Sequence, residues 1–121
     1  MINISKYMKK LNIYGELQTR ALGVLWLAEE LGVDYCHLQK NEPDIDYVAL
    51  NPAGNVPTID DDGFVLWESM AINLYLVKKH GGDLAPKDLT EEGLILQWTF
   101  WVISEVENIA LTLLLNRVLL S

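Results

Sequence analysis

The run Asn51-Pro52-Ala53-Gly54-Asn55-Val56-Pro57 leads straight into a short apolar stretch, residues 56 to 60, that reads as a strand. Proline donates no backbone hydrogen bond, so within sheets it is confined to edges, strand starts and bulges. A tight turn is also one of the few settings in which an X-Pro bond adopts the cis form at small cost. The run therefore predicts a cis Val56-Pro57 peptide and a Val56 backbone that faces a cleft instead of a strand partner. No other feature constrains the fold as strongly.

Strand and helix signals alternate around this turn. Leu11 to Gly15 is a predicted first strand. From Arg20 to Leu31 the apolar residues Leu22, Val24, Leu25, Trp26, Leu27, Ala28 and Leu31 cover most of a helical surface and predict a largely buried helix. Gly32 sits where a glycine ends such a helix. Residues 33 to 39 alternate as a second strand. Residues 41 to 52 are irregular, with one helical turn around Ile45 to Leu50. Strands over 56 to 60 and 64 to 67 flank Asp61-Asp62-Gly63, where an Asp-Gly pair favours a hairpin. The acidic run Asp60 to Asp62 reads as the solvated tip of that hairpin. Glu68 to His80 carries a helical period through Ala71, Ile72, Tyr75 and Leu76, stopped by Gly81-Gly82. A linker follows. Thr90 is the predicted N-cap of one long helix, roughly 91 to 121, whose Glu91 and Glu92 suit its positive end.

The order β-α-β-(α)-β-β-α predicts an α/β domain with a mixed four-stranded sheet of thioredoxin-like type. The helical crossover implies parallel pairing, and the hairpin implies an antiparallel pair. With 17 acidic against 9 basic residues and a net charge of −8, the chain is not expected to bind nucleic acid. A single cysteine, Cys36, excludes an internal disulfide and a multi-cysteine metal site, and it reads as a small core residue. His37 and His80 stand apart from other ligands, so no metal is expected. The start lacks the apolar core of a secretory signal. Glu105, Glu107, Asn108, Thr112, Asn116 and Arg117 interrupt the leucine-rich tail, so no membrane span is expected either. These readings predict a cytoplasmic protein.

The segments VLWLAEELGVDY (24–35), NPAGNVPTIDDDGFVLWESMAINLYL (51–76) and GGDLAP (81–86) together resemble the soluble glutathione transferase family, over residues 11 to about 110. The resemblance implies a thioredoxin-like glutathione-binding domain over 11–81 after a short extension, 1–10. It further implies a linker over 82–90 and, over 91–121, the first helix of an all-α second domain that the chain would carry only in truncated form. Glutathione would serve as co-substrate, with no further cofactor, and a small electrophile would accept its thiol. Family members dimerise, so a homodimer is expected, with Trp98 and Trp101 shielded by the partner chain.

The same resemblance implies roles for individual residues. The backbone of Val56, turned outward by Pro57, would pair with the cysteinyl backbone of glutathione, a form of β-augmentation. Ser69, where the helix starts, would bind a carboxylate, and Glu68 the γ-glutamyl ammonium. Without the Val-Pro turn and the resemblance, the residues alone favour Ser69 as the helix N-cap and Glu68 as a partner of the helix dipole. Asn55 stands where many members carry a lysine facing the glycine carboxylate, with Lys40 and Gln39 as substitutes. The family activates the glutathione thiol from the segment after the first strand, through Tyr, Ser or Cys. Here that segment reads Tyr14-Gly15-Glu16-Leu17-Gln18-Thr19-Arg20, without serine or cysteine. Thr19 matches the serine of the Ser-Arg pairs of bacterial members and reads equally as the N-cap of the first helix. Tyr14 matches the tyrosine classes by its distance from the helix and reads also as core packing. Gln18 could donate a hydrogen bond without cycling a proton. Two functions are therefore expected to compete: a glutathione-conjugating enzyme and a non-catalytic transferase-like module for dimerisation or complex assembly.

Overall fold

The computed structural model describes residues 10–119; the predicted extension therefore lies almost wholly outside the described residues. The chain divides into two units between Ala85 and Pro86. In the first, strands β1 (Leu11–Tyr14), β2 (Tyr35–Leu38), β3 (Thr58–Asp61) and β4 (Phe64–Trp67) form one sheet in the order β2-β1-β3-β4. β1 pairs parallel with β2, and the pairs β1–β3 and β3–β4 are antiparallel. Helices α1 (Ala21–Glu30), α2 (Tyr47–Leu50) and α3 (Ser69–His80) complete the predicted thioredoxin-like architecture.

Alternation along the strands divides the core into two layers. Leu11, Ile13 and Ile59 pack with Val24, Leu25 and Ala28 of α1 and with Ile72 and Leu76 of α3. The neighbouring position, Tyr14, lies in a second cluster with Leu38 and Tyr47 of α2. α1 buries only one stripe: Ala21, Val24, Leu25 and Ala28 are buried, whereas Leu22 and Trp26 are exposed. The expectation of a largely buried helix is corrected accordingly, because the sheet covers one side of it.

The hairpin turns on Asp62 and Gly63, both at positive φ (55° and 93°), as a two-residue turn with matching twist requires. The acidic run is not uniformly solvated. Asp61 is buried at the end of β3, where it accepts hydrogen bonds from Tyr75 Oη at 2.7 Å and from Lys79 Nζ. Burial by itself would raise the Asp61 carboxyl. The hydrogen bonds from Lys79 and Tyr75, with the Lys79 charge, outweigh it and hold the group below its ordinary value. A carboxyl depressed in the folded state contributes stability that is present above its unfolded pKa and lost as pH falls through the folded one. Asp61→Asn should therefore flatten the acid limb of a pH-stability curve, measured by urea unfolding. An unchanged acid limb would assign that limb to other carboxylates.

The second unit begins with α4 (Leu89–Trp101), continues through a π-helical segment, Val102–Glu107, and ends in α5 (Asn108–Leu119). Its N-cap is Asp88, which accepts from the Glu91 N–H at 2.9 Å, so the expected cap Thr90 lies inside the helix. Asp competes well with Thr for this position. Trp98 and Trp101 meet edge to face with centroids 5.5 Å apart. By length and composition the continuous helix Leu89–Leu119 is long and apolar enough to cross a membrane, since its most apolar 18-residue window holds no more than two charges. The polar interruptions noted in the sequence do not by themselves exclude a span.

Candidate functional site

The connection from α2 to β3 is held from beneath by two buried polar side chains. Asn51 ends α2, and its Nδ2 donates to the Asn55 carbonyl at 2.9 Å and to Thr58 Oγ1 at 3.3 Å. Its Oδ1 accepts from the Ala53 N–H at 3.1 Å. Tyr47 Oη donates to the Asn55 carbonyl at 2.6 Å and lies 2.7 Å from Thr58 Oγ1. A phenol has one proton, so Thr58 donates to Tyr47 in that second bond. Burial pushes the Tyr47 hydroxyl above its ordinary pKa, against the opposing hydrogen bonds from Thr58 and Asn51, and the group stays a neutral donor. Gly54, at φ 69°, closes the turn with an N–H to the Asn51 carbonyl at 2.8 Å.

This frame delivers the predicted turn. The Val56-Pro57 peptide is cis. The β1–β3 register ends at the Tyr14–Thr58 pair, so Val56 lies outside the ladder. Among the described residues no hydrogen bond takes up either of its backbone groups.

Across from Val56, Glu68 stands between β4 and α3 as the N-cap of the helix, at φ 77° and ψ 112°, a conformation costly for a residue with a Cβ. Ser69 is the first helical residue and not the cap, which corrects the capping alternative. No side chain caps α3, so its first turn offers N–H groups and the positive end of the helix dipole. Together these elements line a cleft of about 320 Å³ formed by Thr19, Arg20, Asn51, Ala53, Asn55, Val56, Pro57, Trp67, Glu68 and Ser69.

The cleft thus brings together Thr19, Asn55, Val56, Pro57, Glu68 and Ser69 of the residues singled out in the sequence. Tyr14 is not among its lining residues: it is 4% exposed and packs edge to face on Tyr47 at 6.0 Å, because its strand position points into the second core layer. Gln18 is exposed and also lies off the lining. Lys40 sits with its Nζ 5.7 Å from the Tyr47 ring centroid, beside the turn but outside the lining. Thr19 is in place, but its hydroxyl proton is engaged. Oγ1 donates to the Glu16 carbonyl at 2.6 Å and accepts from the Ala21 N–H at 3.1 Å, a local turn that starts α1. Arg20, Asn51, Ala53 and Trp67 were not singled out. Arg20 follows Thr19 directly, and Trp67 precedes Glu68 in the quoted segment, so adjacency was the available signal. Asn51 stands within the quoted run, with no signal beside it that marks a buried polar anchor. Among the described residues no group of three or more His, Cys, Asp or Glu side chains converges as a metal site.

A cis-proline turn facing an uncapped helix start, on a β2-β1-β3-β4 mixed sheet, defines a thioredoxin-like domain with an open peptide edge. The family model for the glutathione S-transferase N-terminal domain matches residues 9–78, and the chain belongs to that family. It is 39% identical over 95 residues to glutathione S-transferase D6 of Drosophila melanogaster, spanning 71% of this chain and 42% of that protein. It is 48% identical over 54 residues to glutathione S-transferase D7 of Anopheles gambiae, spanning 43% of this chain and 25% of that protein. Among solved structures, a theta-class glutathione S-transferase from Xanthomonas axonopodis pv. citri with glutathione bound superposes with a TM-score of 0.76 at 34% identity. That match covers 84% of this chain and 52% of the other. An epsilon-class enzyme from the housefly, Musca domestica, gives 0.72 at 27% identity over 89% of this chain and 56% of its own. The chain therefore spans about half, or less, of the length of these relatives.

Proposed function

We propose that residues 11–81 bind glutathione in the cleft beside Pro57 and present its thiol to a small electrophile. The carrying observation is the juxtaposition, in one cleft, of a Val56 backbone without a partner and the uncapped start of α3 at Ser69. An extended tripeptide would pair its cysteinyl N–H and C=O with Val56. One carboxylate would take the Ser69 hydroxyl and the N–H groups of the first helical turn, and Glu68 would take the γ-glutamyl ammonium. Asn55 borders the same cleft and would face the remaining carboxylate, with Lys40 nearby as a cation. A homodimer in a soluble, cytoplasmic setting, as expected for the family, belongs to the same proposal.

A second reading has its own support. Thiol activation needs a donor to the thiolate sulfur, and the Thr19 proton is engaged by the Glu16 carbonyl. A chain that binds glutathione without activating it would serve as a binding or assembly module. Titration with reduced glutathione by calorimetry, followed by a chlorodinitrobenzene conjugation assay, separates the two. Binding with conjugation supports the enzyme, binding without conjugation supports the module, and no binding contradicts both. Ser69→Ala should weaken glutathione by about 1–3 kcal/mol, the contribution of a hydrogen bond to a charged group. Equal affinity in the same titration would remove Ser69 from the site.

A further inference from the structure

The β1–α1 loop supplies Thr19 and Arg20 to the cleft, and the end of β2 holds that loop at three points. The Gly15 N–H donates to the Leu38 carbonyl at 2.9 Å. The Lys40 N–H reaches Glu16 Oε1 at 3.4 Å. The third contact is a side chain: His37 Nε2 lies 2.6 Å from the Gly15 carbonyl, across 22 residues of sequence. A carbonyl only accepts, so Nε2 carries the hydrogen and the ring donates. Gly15 in turn is wedged. A Cβ there would stand 2.6 Å from Ala21 Cβ at the start of α1 and 3.1 Å from Val56 Cβ. The position of one peptide group therefore sets the spacing between the first turn of α1 and the Val56 edge.

We propose that His37 is a positioning residue for glutathione: by fixing the Gly15 carbonyl, it sets the width of the cleft between Thr19–Arg20 and Val56. His37 itself is not among the residues lining the cleft and acts through the loop. The proposal rests on the glutathione-binding reading.

The test compares His37→Leu, His37→Asn and His37→Gln in the full chain. A glutamine amide nitrogen reaches about as far as Nε2, whereas asparagine falls short and leucine cannot donate. Leu and Asn variants should lose about tenfold in glutathione affinity by calorimetry, and the Gln variant should retain most of it. In ligand-free protein the Glu16 amide, whose peptide shares the Gly15 carbonyl, should shift in the NMR spectra of the Leu and Asn variants and return toward wild type with Gln. Equal affinity of the Leu variant, or a Gln variant as weak as Leu at matched folding, would overturn the proposal. If wild-type protein fails to bind glutathione, the binding reading falls. An unmoved Glu16 amide in the Leu variant would then contradict the His37–Gly15 contact separately.

Discussion

Gly15→Ala is expected to destabilise the first unit by about 3 kcal/mol or more, and to abolish glutathione binding with it. Two costs coincide. Gly15 sits at φ 139°, where a Cβ is strained by about 1–3 kcal/mol. The added carbon would also stand 2.6 Å from Ala21 Cβ, closer than real side chains approach, and relieving the clash means moving α1 or Val56. Overpacking of this kind costs about 1–3 kcal/mol more. Gly23→Ala is the matched control, since a Cβ at Gly23 meets nothing within 4 Å in the middle of α1. That change should stabilise by about 0.5–1 kcal/mol through helix propensity. Urea unfolding of both variants checks the pair. A Gly15→Ala protein as stable as wild type would mean that the loop does not wedge α1 against Val56.

Asn51→Ala should cost about 2–4 kcal/mol, a large share of the about 5–15 kcal/mol that holds an ordinary domain together. The side chain is 1% exposed and makes three hydrogen bonds, to the Asn55 carbonyl, Thr58 Oγ1 and the Ala53 N–H. Its loss opens a cavity and leaves the Ala53 N–H without that acceptor. Tyr47 still serves the Asn55 carbonyl and Thr58, which limits the damage and makes Asn51→Ala combined with Tyr47→Phe the more severe test. Loss of both should exceed the sum of the single changes, because each partner then has no alternative. Chemical denaturation of the four proteins measures this, and strict additivity would contradict a shared network.

The turn was legible in the sequence because its signals are local. Two prolines and a glycine restrict the backbone whatever surrounds them, and the Asp62-Gly63 turn likewise depends on little beyond its own residues. The mixed pairing of the sheet followed from its connections, a helical crossover and a hairpin, whereas the strand order β2-β1-β3-β4 came from the structure. What escaped depends on partners distant in sequence. Asp61 read as a solvated tip residue because nothing near it reveals Tyr75 and Lys79, which arrive on α3. Asn51 was not singled out because its partners Asn55 and Thr58 become its neighbours only once the turn closes. The resemblance made Tyr14 and Thr19 candidate donors, yet strand alternation buries the first and the start of α1 engages the second. In the site, the backbone features were readable, while the allocation of individual protons was not.

The central claim is that glutathione lies along the Val56 edge with a carboxylate at the start of α3. An amide-resolved NMR titration of the isotope-labelled chain with reduced glutathione tests it most directly. Saturable shifts centred on the Val56 and Ser69 amides, reduced by Ser69→Ala and absent with a glutathione analogue lacking the γ-glutamyl residue, are the predicted result. Saturable shifts confined to other surfaces, or none at millimolar glutathione, would contradict it.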